Sequence, residues 1–161
     1  MKRIYFIRHA KAEEGADDLS RDLNERGKKD LALMCERLKR REVRADAIFS
    51  SHAKRCEKTA AKIANALKFT KKVKLKEELY ETDSAGLLSF INTLDEKFNN
   101  IFIIAHNNSI TEICESLSDS AIGNIPTCGI FCIEFNCSFN EIKEHGGKAL
   151  FFDYPKKRDS K

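Results

Sequence analysis

Ile4-Tyr5-Phe6-Ile7-Arg8-His9-Ala10 and Ile101-Phe102-Ile103-Ile104-Ala105-His106-Asn107 share one design, a short apolar run that ends in a histidine. Each run has the length and the β-branched and aromatic content of a strand buried on both faces. Apolar runs end where the chain leaves the core, so both imidazoles fall at strand mouths. A third run, Asp46-Ala47-Ile48-Phe49, ends in Ser50-Ser51-His52 and leads into a segment carrying Arg55. Ligands of open α/β sheets bind in the crevice at the carboxyl ends of the strands. Three such ends would bring His, Arg and Ser side chains to one place.

Outward from these runs, strands are expected at 3–8, 46–50, 101–105, 129–135 and 149–154, with a short, half-exposed one around Val73 and Leu75. Helices are expected between them. Asn24 can cap one whose inward positions are Leu31, Met34, Cys35 and Leu38, and Cys56, Ala60, Ile63 and Leu67 form a stripe on a second over 53–67. Ser84 can cap a third with Leu87, Ile91, Leu94 and Phe98 inward. Ile110, Ile113, Cys114 and Leu117 mark a fourth. Strands alternating with helices predict a three-layer α/β/α sandwich with a mostly parallel central sheet.

The 161 residues are 42% hydrophobic and 34% charged, which fits one globular domain with a solvated surface. That domain is expected to occupy residues 1–155, followed by a basic tail at 156–161. The tail carries four positive charges and one negative out of a formal net charge of +4. The rest of the chain is therefore near neutral, which argues against a nucleic-acid-binding surface. No apolar run approaches the ~20 residues that a membrane span needs. Neither a signal-peptide core nor a cleavage site is visible, and a cytoplasmic location is expected. The six cysteines include no Cys-x-x-Cys pair and lack matching His spacing, so free thiols are expected and neither a metal site nor a cofactor is.

An electropositive crevice with a histidine in it suits phosphoryl transfer, which needs an in-line nucleophile and positive charge around three equatorial oxygens. A neutral imidazole can attack phosphorus directly. Arg8 and Arg55 can grip phosphoryl oxygens through planar forks that lysine does not offer, and His106 can add a donor. His52 reads as a rim residue and His145, beside two glycines, as a turn residue.

The same residues carry a family resemblance. Arg8-His9-Ala10 resembles the Arg-His-Gly signature of the histidine phosphatase superfamily, the phosphoglycerate mutase-like family. Residues 46–60, with Ser50-Ser51, Arg55 and Thr59-Ala60, resemble its second block, and Ile104-Ala105-His106-Asn107 its second-histidine block. Arg21-Asp22-Leu23-Asn24-Glu25-Arg26-Gly27 is similar to the Arg-Pro-Leu-Thr-x-x-Gly that follows the first. Ala10 stands where glycine is common, and His52 and Asp22 stand where proline is usual. The resemblance implies a phosphoglycerate mutase-like fold and a phosphohistidine intermediate on His9. It implies a phosphate pocket of Arg8, His9, Arg55, His106 and Asn107, with Arg21 and His52 at its rim. Glu81 falls where relatives often carry a proton-donating glutamate, and Asp83 is a nearby alternative.

Within the superfamily, the short chain, the Arg-His-Ala-Lys-Ala-Glu opening and Leu79-Tyr80-Glu81 look most like the SixA-type phosphohistidine phosphatases. The implied activity is metal-independent removal of phosphate from histidine on a signalling protein. The alternatives are a small-molecule phosphomonoesterase, for a sugar phosphate or cofactor precursor, and a catalytically inactive phosphate-binding module. The expected partner is thus a phosphorylated protein or a small phosphomonoester, with no nucleic acid and no membrane.

Overall fold

Ile4 pairs with Ile101 and Arg8 with Ala105, so the two histidine-terminated runs lie side by side, parallel and in register. They form β1 (Lys2–Arg8) and β4 (Asn100–Ala105) of the computed structural model, which describes residues 1–157. The similarity of the two stretches is thus the similarity of adjacent strands that leave the core at one height. The other strands are β2 (Ala47–Ser51), β3 (Lys74–Lys76), β5 (Ile130–Phe135) and β6 (Gly147–Asp153). The sheet order is β3-β2-β4-β1-β5-β6. The first four of these are parallel, and β5 and β6 are antiparallel to their neighbours. The sheet is therefore mixed but mostly parallel.

Alternate side chains of the central strands enter two cores, as the period of a strand requires. On one face Ile4, Phe6, Ile101 and Ile103 pack with Leu87, Phe90 and Ile91 of α3 (Ser84–Asn92) and Ile110, Ile113 and Leu117 of α4 (Ser109–Ser118). On the other, Tyr5, Ile7, Phe102 and Ile104 pack with Leu31, Met34 and Leu38 of α1 (Glu25–Arg40) and Cys56, Ala60 and Ile63 of α2 (Lys54–Ala66). Helices flank both faces of the sheet, as predicted. Asn24 caps α1, its Oδ1 accepting from the Gly27 N–H at 2.8 Å. Gly27 is required there, because a Cβ would sit 2.0 Å from the Lys11 carbonyl oxygen.

Two helix readings change. Asp83, not Ser84, caps α3, accepting from the Gly86 N–H at 2.8 Å. Leu94 and Phe98 are buried but lie beyond the helix, which ends at Asn92; a turn closed by the Phe98 N–H on the Asp95 carbonyl returns them to the core. Cys35, Cys56, Cys114, Cys128 and Cys132 are buried free thiols and Cys137 is half-buried. Among the described residues no helix is long and apolar enough to cross a membrane. Of the basic tail, Arg158 to Lys161 lie outside the described residues.

Arg37, in the last turn of α1 with Lys39 and Arg40, is buried. Its Nη1 donates to Asp153 Oδ1 at 2.8 Å and to the Tyr154 carbonyl at 2.9 Å, and its Nη2 donates to the Lys157 carbonyl at 2.9 Å. One guanidinium thus fastens the segment after β6 to α1. Removing one partner of a buried pair strands the other charge, so Arg37→Ala should cost about 3 kcal/mol. Urea unfolding measures this, and a loss below about 0.5 kcal/mol, the surface-substitution range, would contradict the clamp.

Candidate active site

A crevice of about 470 Å³ opens where β1, β2 and β4 end, with Arg8, His9, Arg55 and His106 in its walls. The mouth of β1 is held by its backbone: the His9 N–H donates to the Ala105 carbonyl, and the Cys128 N–H is shared between the Arg8 and His9 carbonyls. Thr59 of α2 joins the second block to the first. Its Oγ1 accepts from the Ala10 N–H at 3.0 Å and donates to the Arg55 carbonyl at 2.8 Å. α2 and α4 both start at the crevice, so the positive ends of two helix dipoles lie beside it.

Hydrogen bonds fix the tautomers of both imidazoles. His9 Nδ1 lies 2.8 Å from the Ala10 carbonyl, which only accepts; Nδ1 therefore carries the proton and Nε2 keeps its lone pair. His106 Nδ1 lies 3.3 Å from Arg55 Nη2, which only donates, so its proton is on Nε2, 2.8 Å from Ser51 Oγ. The ring centroids are 5.4 Å apart. Burial, chiefly, pushes His9 down to about 4, with a further contribution from the neighbouring arginines. Burial, then His9 and Arg55, push His106 down to about 3. Both rings are neutral at pH 7.

These depressions link stability to pH. In the unfolded chain both imidazoles protonate near 6.5, well above their folded values of about 4 and 3. Across that window the unfolded chain binds more protons, so stability is full above 6.5 and falls as the pH drops. The loss is up to about 1.4 kcal/mol per pH unit per imidazole. Urea midpoints measured from pH 7.5 to 4.5 should fall below pH 6.5, and His9→Ala/His106→Ala should flatten the fall. An equally steep fall in the double variant would assign it elsewhere.

The structure brings the other expected residues to the crevice in unequal ways. Arg8 is half-buried and gives Nη1 to the Ile125 carbonyl at 3.0 Å. Asn107 lines the crevice, but its amide is occupied: Nδ2 donates to Asn124 Oδ1 and Oδ1 accepts from Thr111 Oγ1, both at 2.5 Å. Glu81 lines the wall from an exposed bend, whereas Asp83 serves as the α3 cap. His52 is half-buried, edge-on to Tyr80. His145 sits in a turn at φ 63° and pairs with Asp119.

Of the crevice residues that went unforeseen, Asp18 and Tyr80 bond to or pack against the expected ones. Asp18, in a 3-10 turn at Asp18–Ser20, accepts from Arg55: its carbonyl from Nη1 at 2.7 Å and its Oδ2 from Nη2 at 3.0 Å. Its Oδ1 accepts from Arg21 Nη1 at 3.0 Å, and Oδ2 also accepts from the Tyr80 hydroxyl. The Tyr80 hydroxyl and the two guanidiniums hold this carboxylate well below the ordinary range. Tyr80 also packs edge-on against His106 at 5.3 Å. Asp18 lies in an acidic loop without periodicity, and Tyr80 enters the sequence reading only as part of Leu79-Tyr80-Glu81, with no site role of its own. Among the described residues no cluster of three His, Cys, Asp or Glu side chains is placed to hold a metal.

A sequence profile of the histidine phosphatase superfamily (branch 1) matches residues 4–87. No curated protein sequence matches the chain. Among solved structures, the chain is similar to the protein histidine phosphatase SixA complexed with tungstate, with a TM-score of 0.82 at 19% identity, over 95% of this chain and 97% of that one. It is also similar to the protein assigned as phosphohistidine phosphatase SixA from Agrobacterium tumefaciens, with a TM-score of 0.83 at 24% identity, over 96% and 98%. A mycobacterial glucosyl-3-phosphoglycerate phosphatase follows, with a TM-score of 0.69 at 14% identity, over 92% and 97%. At these identities the likeness is one of fold.

Proposed function

This chain belongs to the histidine phosphatase superfamily, and from that premise we propose that it hydrolyses phosphohistidine on a protein through a covalent intermediate on His9. The observation that carries this reading is the His9 tautomer, an imidazole whose Nε2 lone pair is free while its Nδ1–H is held by the Ala10 carbonyl. In the proposed reaction Nε2 attacks phosphorus and the bond from phosphorus to the substrate imidazole breaks. The departing ring takes a proton from solvent. Water then attacks the phosphorylated His9, releasing orthophosphate and restoring the free imidazole. Arg8 and Arg55 would hold the equatorial oxygens, with the helix ends adding positive potential, and His106 would orient the Arg55 fork through Nδ1.

The fold shared with the SixA structures supports this branch, as does an open crevice in a short chain. A panel comparing a phosphohistidine protein with common phosphomonoesters tests it. The expected result is a preference for phosphohistidine that survives EDTA, and an acid-labile, base-stable phosphoenzyme. A preference for phosphomonoesters, or loss of activity in EDTA with recovery on adding a divalent ion, would overturn it.

One observation favours the small-molecule phosphomonoesterase, namely the Glu81 carboxyl on the crevice wall. An alkoxide leaving group needs a proton, whereas imidazole leaves readily. Under our reading Glu81→Gln changes phosphohistidine turnover by less than about 3-fold, small beside the 10²–10⁴-fold that general acids supply. A fall of about 10²-fold on alkyl phosphates, with little loss on p-nitrophenyl phosphate, would identify Glu81 as a general acid and favour the alternative.

A further inference from the structure

A second cleft, of about 260 Å³, adjoins the crevice, and Lys11 and Thr127 belong to the walls of both. It runs between α1, which supplies Arg26 and Asp30, and the segment after β6, which supplies Tyr154, Pro155 and Lys156. Its charged groups are Lys11, Arg26 and Lys156 against Asp30 alone, so its field is positive on the side facing the crevice and on the side facing solvent. Arg26 Nε donates to Asp30 at 3.2 Å, which leaves the two lysines the less compensated charges. Pro126, Tyr154 and Pro155 give it apolar surface. The wall after β6 is preformed: Arg37 holds the Tyr154 and Lys157 carbonyls, and Lys157 Nζ donates to the Phe152 carbonyl at 2.6 Å.

Resting on the phosphohistidine reading, we propose that this cleft receives the flank of the phosphorylated protein, and that the flank is acidic. A phosphoryl group seated at His9 leaves its carrier chain at the crevice mouth, and Lys11 and Thr127 make the cleft a continuous path from that mouth. A free phosphorylated metabolite would end at the crevice and leave the cleft unused. A segment bearing Asp or Glu beside an apolar residue would place carboxylates against Lys11 and Lys156 and the apolar side chain against Tyr154 and the prolines. Charge complementarity of this kind acts on encounter and on selection between partners more than on the chemical step. The preference should therefore appear in KM and weaken as salt shortens the Debye length from about 30 Å at 0.01 M to about 8 Å at 0.15 M.

The probes are free phosphohistidine and two peptides of equal length, each with one phosphohistidine flanked by glutamates or by glutamines. The expected kcat/KM is about 10-fold higher for the acidic peptide at low salt, through KM, the size of effect that steering produces at its lower end. Arg26→Glu/Lys156→Glu should abolish that preference and leave free phosphohistidine unchanged, since neither residue lines the crevice. Equal values for the two peptides, or a preference that persists in the double variant, would overturn the docking surface while the enzymatic reading stands. Absence of turnover of both peptides and of free phosphohistidine by the unaltered protein would overturn both.

Discussion

His9→Ala is expected to lower turnover by on the order of 10³-fold or more, as removal of a covalent route does, and to abolish the trapped phosphoenzyme. Alanine cannot attack phosphorus, and no other group in the crevice duplicates His9. His106 presents Nδ1 to Arg55 and its proton to Ser51, so its lone pair is already directed at a guanidinium. The variant should fold, because the His9 side chain makes one hydrogen bond, to the adjacent Ala10 carbonyl, and the strand mouth is held by backbone contacts. Single-turnover assays, with circular dichroism to verify folding, measure the effect. Near-normal turnover in a folded variant would remove His9 from the mechanism.

Arg55→Ala should reduce kcat by about 10²–10³-fold, the loss that follows removal of one preorganised donor to a developing anion. Arg55→Lys should recover only part of this, because an ammonium cannot reproduce the fork that now spans the Asp18 carbonyl, the Asp18 carboxylate and His106. Full activity in the lysine variant would reduce Arg55 to bulk charge. Steady-state kinetics with vanadate inhibition as the binding readout separate positioning from affinity.

What could be read from the amino acids followed the physics of each element. β1 and β4 were legible because short apolar runs rich in β-branched and aromatic residues suit doubly covered strands, and the histidines were legible because they terminate those runs. The register was not. That Ile4 lies opposite Ile101 depends on pairing between distant segments, which no local pattern encodes. The reversed direction of β5, and the return of β6 alongside it, depend likewise on how the connections pass the sheet. Arg55 stood out through its place just after the third strand end and the resemblance of its block; its burial did not, since a buried arginine on a helix face has the same periodicity as an exposed one. Arg37 shows the same limit: nothing local separates it from its exposed neighbours Lys39 and Arg40, and only the return of the chain at Asp153 buries it. Asp18 was illegible because its partners come from three separate segments, Arg21, Arg55 and Tyr80.

The last of these has a consequence for occupancy. Asp18 is a tethered competitor. Its carboxylate and carbonyl already take the hydrogen bonds that Arg55 would offer to an incoming phosphoryl group, at the high effective concentration that covalent linkage provides. Under the proposed reaction, filling the crevice would therefore exchange one anion for another, and so would emptying it. Orthophosphate left behind by that hydrolysis would meet a rival that never diffuses away, which would shorten its stay and keep product from blocking the next cycle.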